Sequence, residues 1–269
     1  MNICKLFVFV FCFSLFDLKI SFASKKPKII GVVGTIEGEN NVFRPPISFY
    51  WIQPKELDNF ANACAGQNVS FVMLPLDVYQ VKKLADTIDG LVLTGGIEDL
   101  ASSERSNFET KILDEVIKQK KQVLGICRGF QFINYYFYKD KLEDKKSENV
   151  FKIIDRFPQN STTHINPNKK YVGLYSTMHK VKLNPKSRLS KILNKTEINV
   201  NSAHNYAIDK IDKKVLVYGI SPEDGVPEMI EIKNYPKFFM GVQWHPEYLS
   251  TDDDVKLLQS FCKAVVNDN

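Results

Sequence analysis

The sequence predicts an α/β fold, a three-layer sandwich in which helices cover both faces of a mostly parallel central sheet. Short apolar runs alternate with amphipathic helical segments through the first half of the chain, and polar or glycine residues separate them. The chain has 269 residues, of which 44% are hydrophobic, which is ample material for the core of such a fold.

The first half of the chain supplies the predicted parallel strands and their connecting helices. Each strand is expected where the chain is short, apolar and bounded by turn residues, namely at 29–34, 69–74, 89–94 and 122–126. Helices are expected at 56–65, 78–85, 108–117 and from about Cys127 onward. Within the third helix Phe108, Ile112 and Val116 share one face.

The second half is richer in predicted strands. These are expected at 179–183, 198–200, 215–219, 229–232 and 238–243, before a closing helix at 255–266. The charged segment 139–149 is expected to be a surface connection, and 158–170 a loop. Because no linker separates these elements, residues 24–269 are predicted to form one domain.

Residues 1–23 have the pattern of a secretory signal peptide. Lys5 precedes an apolar run at 6–16, and Ala23 follows Ser21 and Phe22 as a small residue at the expected cleavage site. A retained anchor and a lipoprotein signal at Cys12 are alternatives, although bulky Phe11 disfavours the second. We therefore expect an exported protein, periplasmic or secreted, without stable membrane association after cleavage.

The net charge bears on nucleic-acid binding, and the cysteine count bears on disulfide formation. The formal net charge of +5 is small and the lysines are scattered, so no basic stripe indicates nucleic-acid binding. Loss of the signal leaves Cys64, Cys127 and Cys262, an odd number, so at least one thiol stays free. Cys64 and Cys262 lie in apolar helical patterns typical of buried, inert thiols, and whether they pair is left open.

The segment 125–129 has the form G-x-C-x-G between an apolar strand and an amphipathic helix. This is the thiol version of a nucleophile elbow, in which a sharp strand-to-helix turn exposes the reactive atom above the sheet. The helix start favours the thiolate through its N–H groups and dipole. The alternative is a buried cysteine beside glycines that occur by chance.

A reactive Cys127 needs a base and a group that orients that base. His245 follows a predicted strand, and Glu247 lies two residues later, so both side chains point the same way in extended chain. His-x-Glu is weak as an isolated pattern, but it becomes strong beside the elbow. No second histidine or cysteine lies at ligand spacing from His245, so we predict no metal there.

Acyl transfer also needs donors for a developing oxyanion. Thr94, Gly95 and Gly96 end the strand expected to neighbour the elbow strand. Their backbone N–H groups, joined by that of Arg128, would be such donors, although the glycines taken alone are better explained by an ordinary turn.

With these residues in view, the chain resembles the class I glutamine amidotransferase-like superfamily, and specifically its peptidase C26 branch of γ-glutamyl hydrolases. The similarity lies in segments 93–96, 125–131, 200–204 and 241–247, and more weakly in 63–75. It implies the flavodoxin-like version of the α/β sandwich. It also implies hydrolysis of a small-molecule γ-glutamyl substrate without a cofactor, and leaves a homodimer open.

The resemblance implies a role for each matching residue. Cys127 would be the nucleophile, His245 the base and Glu247 its partner, while the amides of Gly96 and Arg128 would form the oxyanion hole. The γ-glutamyl group would lie beside a second set of residues, namely Gln131, Asn201, Ser202 and His204.

Several positions depart from the family pattern. No glycine pair follows the elbow helix at 135–139, segment 97–101 differs, and Asn205 and Tyr206 replace the usual histidine and glutamine. These changes predict an altered leaving-group pocket. His204 is expected to contact substrate or to be a structural hydrogen-bonding residue, whereas His164 and His179 are expected at the surface.

Three functions are compatible with this pattern. The leading hypothesis is a cysteine-dependent γ-glutamyl hydrolase whose leaving group is an amino acid, a polyamine derivative or a folate-type polyglutamate. The second is a glutaminase subunit that passes ammonia to a partner, since the chain itself carries no nucleotide-binding motif. The third is a non-catalytic binding protein on the same fold.

Overall fold

The computed structural model describes residues 26–36, 50–51, 54–96, 99–144, 146, 151–153, 164, 178–204 and 206–268. The strands within these residues are β1 (Lys28–Val33), β2 (Thr35–Ile36), β3 (Tyr50–Trp51), β4 (Val69–Met73), β5 (Gly90–Leu93), β6 (Gln122–Ile126), β7 (Phe151–Ile153), β8 (Met178–Leu183), β9 (Glu197–Asn201), β10 (Tyr206–Ile208), β11 (Val215–Ile220), β12 (Pro227–Ile232) and β13 (Phe239–Val242). The helices are α1 (Pro54–Ala63), α2 (Val81–Thr87), α3 (Glu104–Lys118), α4 (Arg128–Tyr138), α5 (Arg188–Leu193) and α6 (Asp252–Val266).

A nine-stranded mixed sheet forms the centre, in the order β4-β1-β5-β6-β13-β12-β11-β8-β9. The pairings from β4 to β13 are parallel, and those from β13 to β9 are antiparallel. Within this sheet β12 and β8 run opposite to the other strands, so the sheet is mostly parallel. β6 lies between β5 and β13, which places the end of β6 near the middle of the sheet.

Helices cover both faces of this sheet, which confirms the predicted three layers. The first core contains side chains from α1, α5 and α6, among them Phe60, Leu189 and Phe261. The second core contains side chains from α2, α3 and α4, among them Phe108 and Phe130. β5, β6 and β13 are buried along their length, as strands covered on both faces must be.

The predicted strands of the first half agree with β1, β4, β5 and β6 to within about two residues at either end, and so does α1. The starts of α2, α3 and α6 differ from the prediction by three or four residues. Elements that the pattern did not predict are short, namely β2, β3, β7, β10 and α5. Segment 139–149 begins with a short 3₁₀ helix, Lys139–Lys141.

The predicted signal peptide at 1–23 lies outside the described residues, and so does the predicted loop at 158–170 apart from His164. Among the helices that the structure describes, none combines the length and apolarity needed to span a bilayer.

A disulfide joins Cys64, directly after α1, to Cys262 of α6 across 198 residues of chain. The two Cα atoms lie 6.2 Å apart, and both residues are buried in the first core. Burial of both residues is as expected, and the pairing that the sequence left open is a disulfide, because packing of α1 beside α6 brings together side chains that are remote in sequence. Cys127 is a free cysteine.

Candidate active site

Cys127 occupies the sharp turn between β6 and α4, with φ of 50° and ψ of −106°. This left-handed φ is unfavourable for a residue with a side chain, so the surrounding structure must hold it. The Cys127 amide donates to Val242 O at 2.8 Å, and Cys127 O accepts from Gln131 N at 3.1 Å. Both ends of the turn are thereby fixed, one to β13 and the other to α4.

The two glycines of the motif let α4 lie close to the sheet. A Cβ at Gly129 would stand 2.1 Å from Leu93 O, and one at Gly125 would stand 2.8 Å from Gly129 O. Neither distance is possible for real atoms, and both obstacles are backbone. The G-x-C-x-G pattern is thus a steric requirement of this elbow.

His245 lies three residues beyond the end of β13, so it reaches the same end of the sheet as Cys127. Its Nδ1 lies 2.7 Å from Glu247 Oε1, and its side chain is also hydrogen-bonded to that of Cys127. Asn59 of α1 donates to Glu247 O at 2.8 Å. The structure therefore brings Cys127, His245 and Glu247 into one connected, largely buried group.

The charges of this group act on the pKa of His245. Burial lowers that pKa, but the negative charges of Glu247 and Cys127 and hydrogen bonds to both raise it, and the net result is a pKa well above 6.5. A protonated His245 is therefore favoured at neutral pH, which is the state that pairs with a thiolate and can donate to a leaving amine.

Asn201, at the end of β9, holds the backbone of His245 from both sides. Its Nδ2 donates to His245 O at 2.7 Å, and its Oδ1 accepts from His245 N at 2.8 Å. Nδ2 also donates to Ser250 Oγ at 2.9 Å, and the side chain is fully buried. Asn201 thus positions the histidine through its backbone.

Gly95 lies against both Cys127 and His245. A Cβ built on Gly95 would stand 3.0 Å from His245 Cε1 and 3.7 Å from Cys127 Cβ. The Thr94–Gly96 segment at the end of β5 therefore borders the elbow, where the expected oxyanion donors Gly96 and Arg128 would have to lie.

A buried ionic network ties this glycine segment to the elbow helix. Glu109 of α3 accepts from Arg105 Nε at 2.8 Å and from Arg128 NH1 at 2.7 Å, with all three side chains nearly inaccessible to solvent. Arg105 then donates to Gly95 O at 2.8 Å and Thr94 O at 2.7 Å. One carboxylate thus links the backbone of the glycine segment to the first residue of α4.

The four predicted substrate contacts are buried and engaged with protein atoms. Gln131 Nε2 donates to Tyr206 O at 3.1 Å and Gln243 Oε1 at 3.0 Å. Ser202 Oγ donates to His164 O at 2.9 Å, and His204 Nδ1 lies 3.1 Å from Tyr206 O. Contact of Gln131, Asn201, Ser202 and His204 with substrate stays a prediction.

His164 and His179 were expected at the surface, and that expectation is wrong. They are 1% and 5% exposed and meet His204 and the fully buried Glu228 in one cluster. The residues come from separate segments, so sequence spacing gave no sign of the cluster.

Sequence reasoning also missed Arg105, Glu109 and Asn59. A signal existed for the first two, because an Arg–Glu pair at i,i+4 falls on the same helix face as Phe108 and Ile112, which are core residues. Asn59 carried no such signal.

The chain is similar to several known proteins. The sequence model of the family Peptidase C26 matches residues 28–247. A glutamine amidotransferase-like protein of Rickettsia prowazekii is 27% identical over 251 residues, which cover 77% of this chain and 87% of that protein. The CTP synthase of Pelagibacter ubique is 28% identical over 209 residues, which cover 71% of this chain but 38% of the longer synthase.

Among solved structures, the glutaminase domain of Trypanosoma brucei CTP synthase, with bound acivicin, has a TM-score of 0.64. The similarity covers 90% of this chain and 95% of that domain at 15% sequence identity. This likeness shows that the fold is that of class I glutamine amidotransferases.

Replacing Glu247 by Gln is expected to lower the pKa of His245, because burial then acts without the carboxylate that opposes it. The raised pKa also implies that protonated His245 stabilises the fold fully below pH about 6.5, and that this contribution is lost as pH rises through the folded-state pKa. Titration of the His245 Cε1–H resonance by NMR measures the pKa of His245 in the original protein and in the variant. Glu197→Gln, which neutralises an exposed carboxylate on β9, is the control, and an equal shift in both variants would contradict the assignment.

Replacing Glu109 by Gln is expected to destabilise the protein by about 3–5 kcal/mol, because Arg105 and Arg128 would remain buried without their shared carboxylate. Denaturant unfolding measures this loss. Glu115→Gln on the same helix removes a surface pair with Lys118 and should cost less than about 1 kcal/mol. Similar losses in the two variants would show that the network does not have the stated role.

Proposed function

Because this chain belongs to the peptidase C26 family, whose relatives include glutamine amidotransferase-like proteins, we propose that it is a cysteine-dependent hydrolase of γ-glutamyl amide bonds. The observation that carries the proposal is the elbow cysteine hydrogen-bonded to a histidine that is itself paired with a carboxylate. Nucleophile, base and orienting group are the parts that acyl transfer through a thioester requires.

In the first step, the thiolate of Cys127 attacks the γ-carbonyl carbon, and the carbonyl electron pair moves onto oxygen. The backbone N–H groups of Gly96 and Arg128 would donate to that oxyanion at the start of α4, where the helix dipole also favours negative charge. Protonated His245 then gives its proton to the departing nitrogen, so the amine leaves and a γ-glutamyl thioester remains.

In the second step, neutral His245 takes a proton from water, which attacks the thioester and releases glutamate. Cys127 departs as thiolate, and His245 is again protonated, so the starting state returns. Glu247 holds the ring of His245 and stabilises its positive charge throughout.

A glutaminase activity on free glutamine is the second candidate. The similarity to the glutaminase domain of a CTP synthase and to the amidotransferase-like protein supports it. The same two steps would then release ammonia, and a partner protein would be needed to consume it. The two candidates share their chemistry and differ in the leaving group.

Glutamate release by the protein lacking residues 1–23 tests both candidates. We expect release from at least one γ-glutamyl amide, faster than from free glutamine, and a loss of at least about 10³-fold in Cys127→Ala. The panel should vary the leaving group among amino acids, polyamines and polyglutamates. Acivicin, which the Trypanosoma brucei glutaminase domain binds, serves as a competitor.

Preference for free glutamine, with ammonia released, would favour the glutaminase. No release from any member, together with failure of Cys127 to react with thiol reagents in folded protein, would overturn the enzyme proposal. That outcome would leave a binding protein on the same fold.

We also infer that the mature protein acts outside the cytoplasm. The signal pattern at 1–23 and the Cys64–Cys262 disulfide support this, because structural disulfides persist mainly in oxidising compartments. In the natural producer, mass spectrometry is expected to find an N-terminus near Ser24 and, without reduction, a peptide pair linked through Cys64 and Cys262. An intact N-terminus together with free thiols at both Cys64 and Cys262 would contradict the inference.

A further inference from the structure

A cluster of three histidines and one glutamate lies apart from the cysteine elbow. Glu228 of β12 is fully buried, and its Oε1 lies 3.4 Å from three ring nitrogens, namely His164 Nδ1, His179 Nε2 and His204 Nε2. The ligand atoms of His164, His204 and Glu228 all lie within 4.8 Å of one another. The two chemical steps of the proposed hydrolysis use none of these side chains, although His204 is also predicted to lie beside the substrate.

The outer hydrogen bonds of two rings determine which nitrogen faces Glu228 without a proton. His164 Nε2 lies 2.8 Å from Asp224 Oδ2, and a carboxylate only accepts, so we assign the ring proton to Nε2. His204 Nδ1 lies 3.1 Å from Tyr206 O, so its proton belongs on Nδ1 by the same reasoning. In neutral rings the inward nitrogens, His164 Nδ1 and His204 Nε2, therefore present lone pairs.

These lone pairs face the lone pairs of a carboxylate. Such an arrangement is repulsive unless a proton or another cation lies between them. Within the described part of the chain, no contact of His164 Nδ1, His204 Nε2 or either oxygen of Glu228 has the geometry of a hydrogen bond. Buried polar atoms left in this state are costly. The cluster thus has the ligand atoms of a cation site, and a cation would relieve the repulsion among them.

The distances distinguish a metal ion from protons. An imidazolium that donated directly to Glu228 would approach to about 2.7–2.9 Å. A tetrahedral zinc ion with bonds of about 2.0–2.1 Å to nitrogen and oxygen would instead hold its ligand atoms about 3.3–3.4 Å apart. The observed separation of 3.4 Å agrees with the second case.

We propose that His164, His204 and Glu228 bind a divalent transition-metal ion of the zinc type. Asp224, behind His164, is the outer carboxylate that orients a metal-binding imidazole. Glu228 and Asp224 together carry the two negative charges that offset the ion. His179 Nε2 lies at the same distance from Glu228 Oε1 but outside the group of mutually close ligand atoms, so we do not assign it as a ligand.

The ion would join two segments that lie beside the elbow region. His164 O accepts from Ser202 Oγ at 2.9 Å, and Glu228 O accepts from Gln243 N at 2.8 Å. Ser202 follows Asn201, which holds His245, and Gln243 directly follows β13, the strand that leads to His245. The metal is therefore assigned a structural role that stabilises this part of the fold.

The test uses protein without a histidine tag and in a Cys127→Ala background, because a thiolate beside His245 is itself a zinc ligand set. After removal of metal with a chelator and confirmation of the fold by circular dichroism, Zn²⁺ is added and the excess is dialysed away. We expect about one zinc per chain by mass spectrometry and a higher Tm with zinc than without. Co²⁺ should give the visible absorption of a tetrahedral site without a thiolate charge-transfer band.

Three substitutions test which residues contribute to zinc binding. Asp224→Asn should weaken zinc binding by roughly 10–100-fold, as loss of an outer partner does, and His204→Gln should weaken it more. His245→Gln, the matched control in the catalytic group, should leave zinc binding unchanged.

Folded, metal-free protein that takes up no zinc above background and shows no rise in Tm would overturn the proposal, whether or not the variants fold. So would zinc uptake that survives His204→Gln but is lost in His245→Gln. Neither result bears on glutamate release, which is measured separately.

Discussion

The left-handed backbone of Cys127 is the constraint on which the rest of the site depends. A residue with φ of 50° keeps that conformation only if its neighbours hold it. Here Val242 of β13 accepts a hydrogen bond from its amide and Gln131 of α4 donates one to its carbonyl, while two glycines let helix and sheet approach closely. The result is a side chain at the carboxyl end of a central parallel strand, where this class of fold places its ligands.

The buried Arg105–Glu109–Arg128 network transmits this constraint to the neighbouring strand. Because Arg105 binds the carbonyls of Thr94 and Gly95, and Arg128 begins α4, a single carboxylate fixes the spacing between the glycine segment and the elbow. Ionic groups in a dry core do little for net stability, but removing one of them is costly. We therefore assign the network to positioning, since its members contact the glycine backbone and one another.

The parts of this structure that could be predicted from sequence are those with local signals. Apolar strands such as Gln122–Ile126 and the glycines around Cys127 are adjacent in sequence, and their pattern follows from sheet burial and backbone crowding. The Cys64–Cys262 bond and the histidine cluster are not local, because their members meet only through sheet order and helix packing. β8 and β12 are not even adjacent in the sheet, so an isolated His179 gave no hint of Glu228.

The same topology explains why Asn201 matters to His245. Asn201 ends β9 at the sheet edge, far along the strand order from β13, yet its side chain reaches the backbone of His245. The loop after β9 carries Ser202 and His204, which lie against His164 and Glu228. A cation in the histidine cluster would secure the far end of this loop. The alignment of His245 with Cys127 would then depend on both the elbow and the cluster.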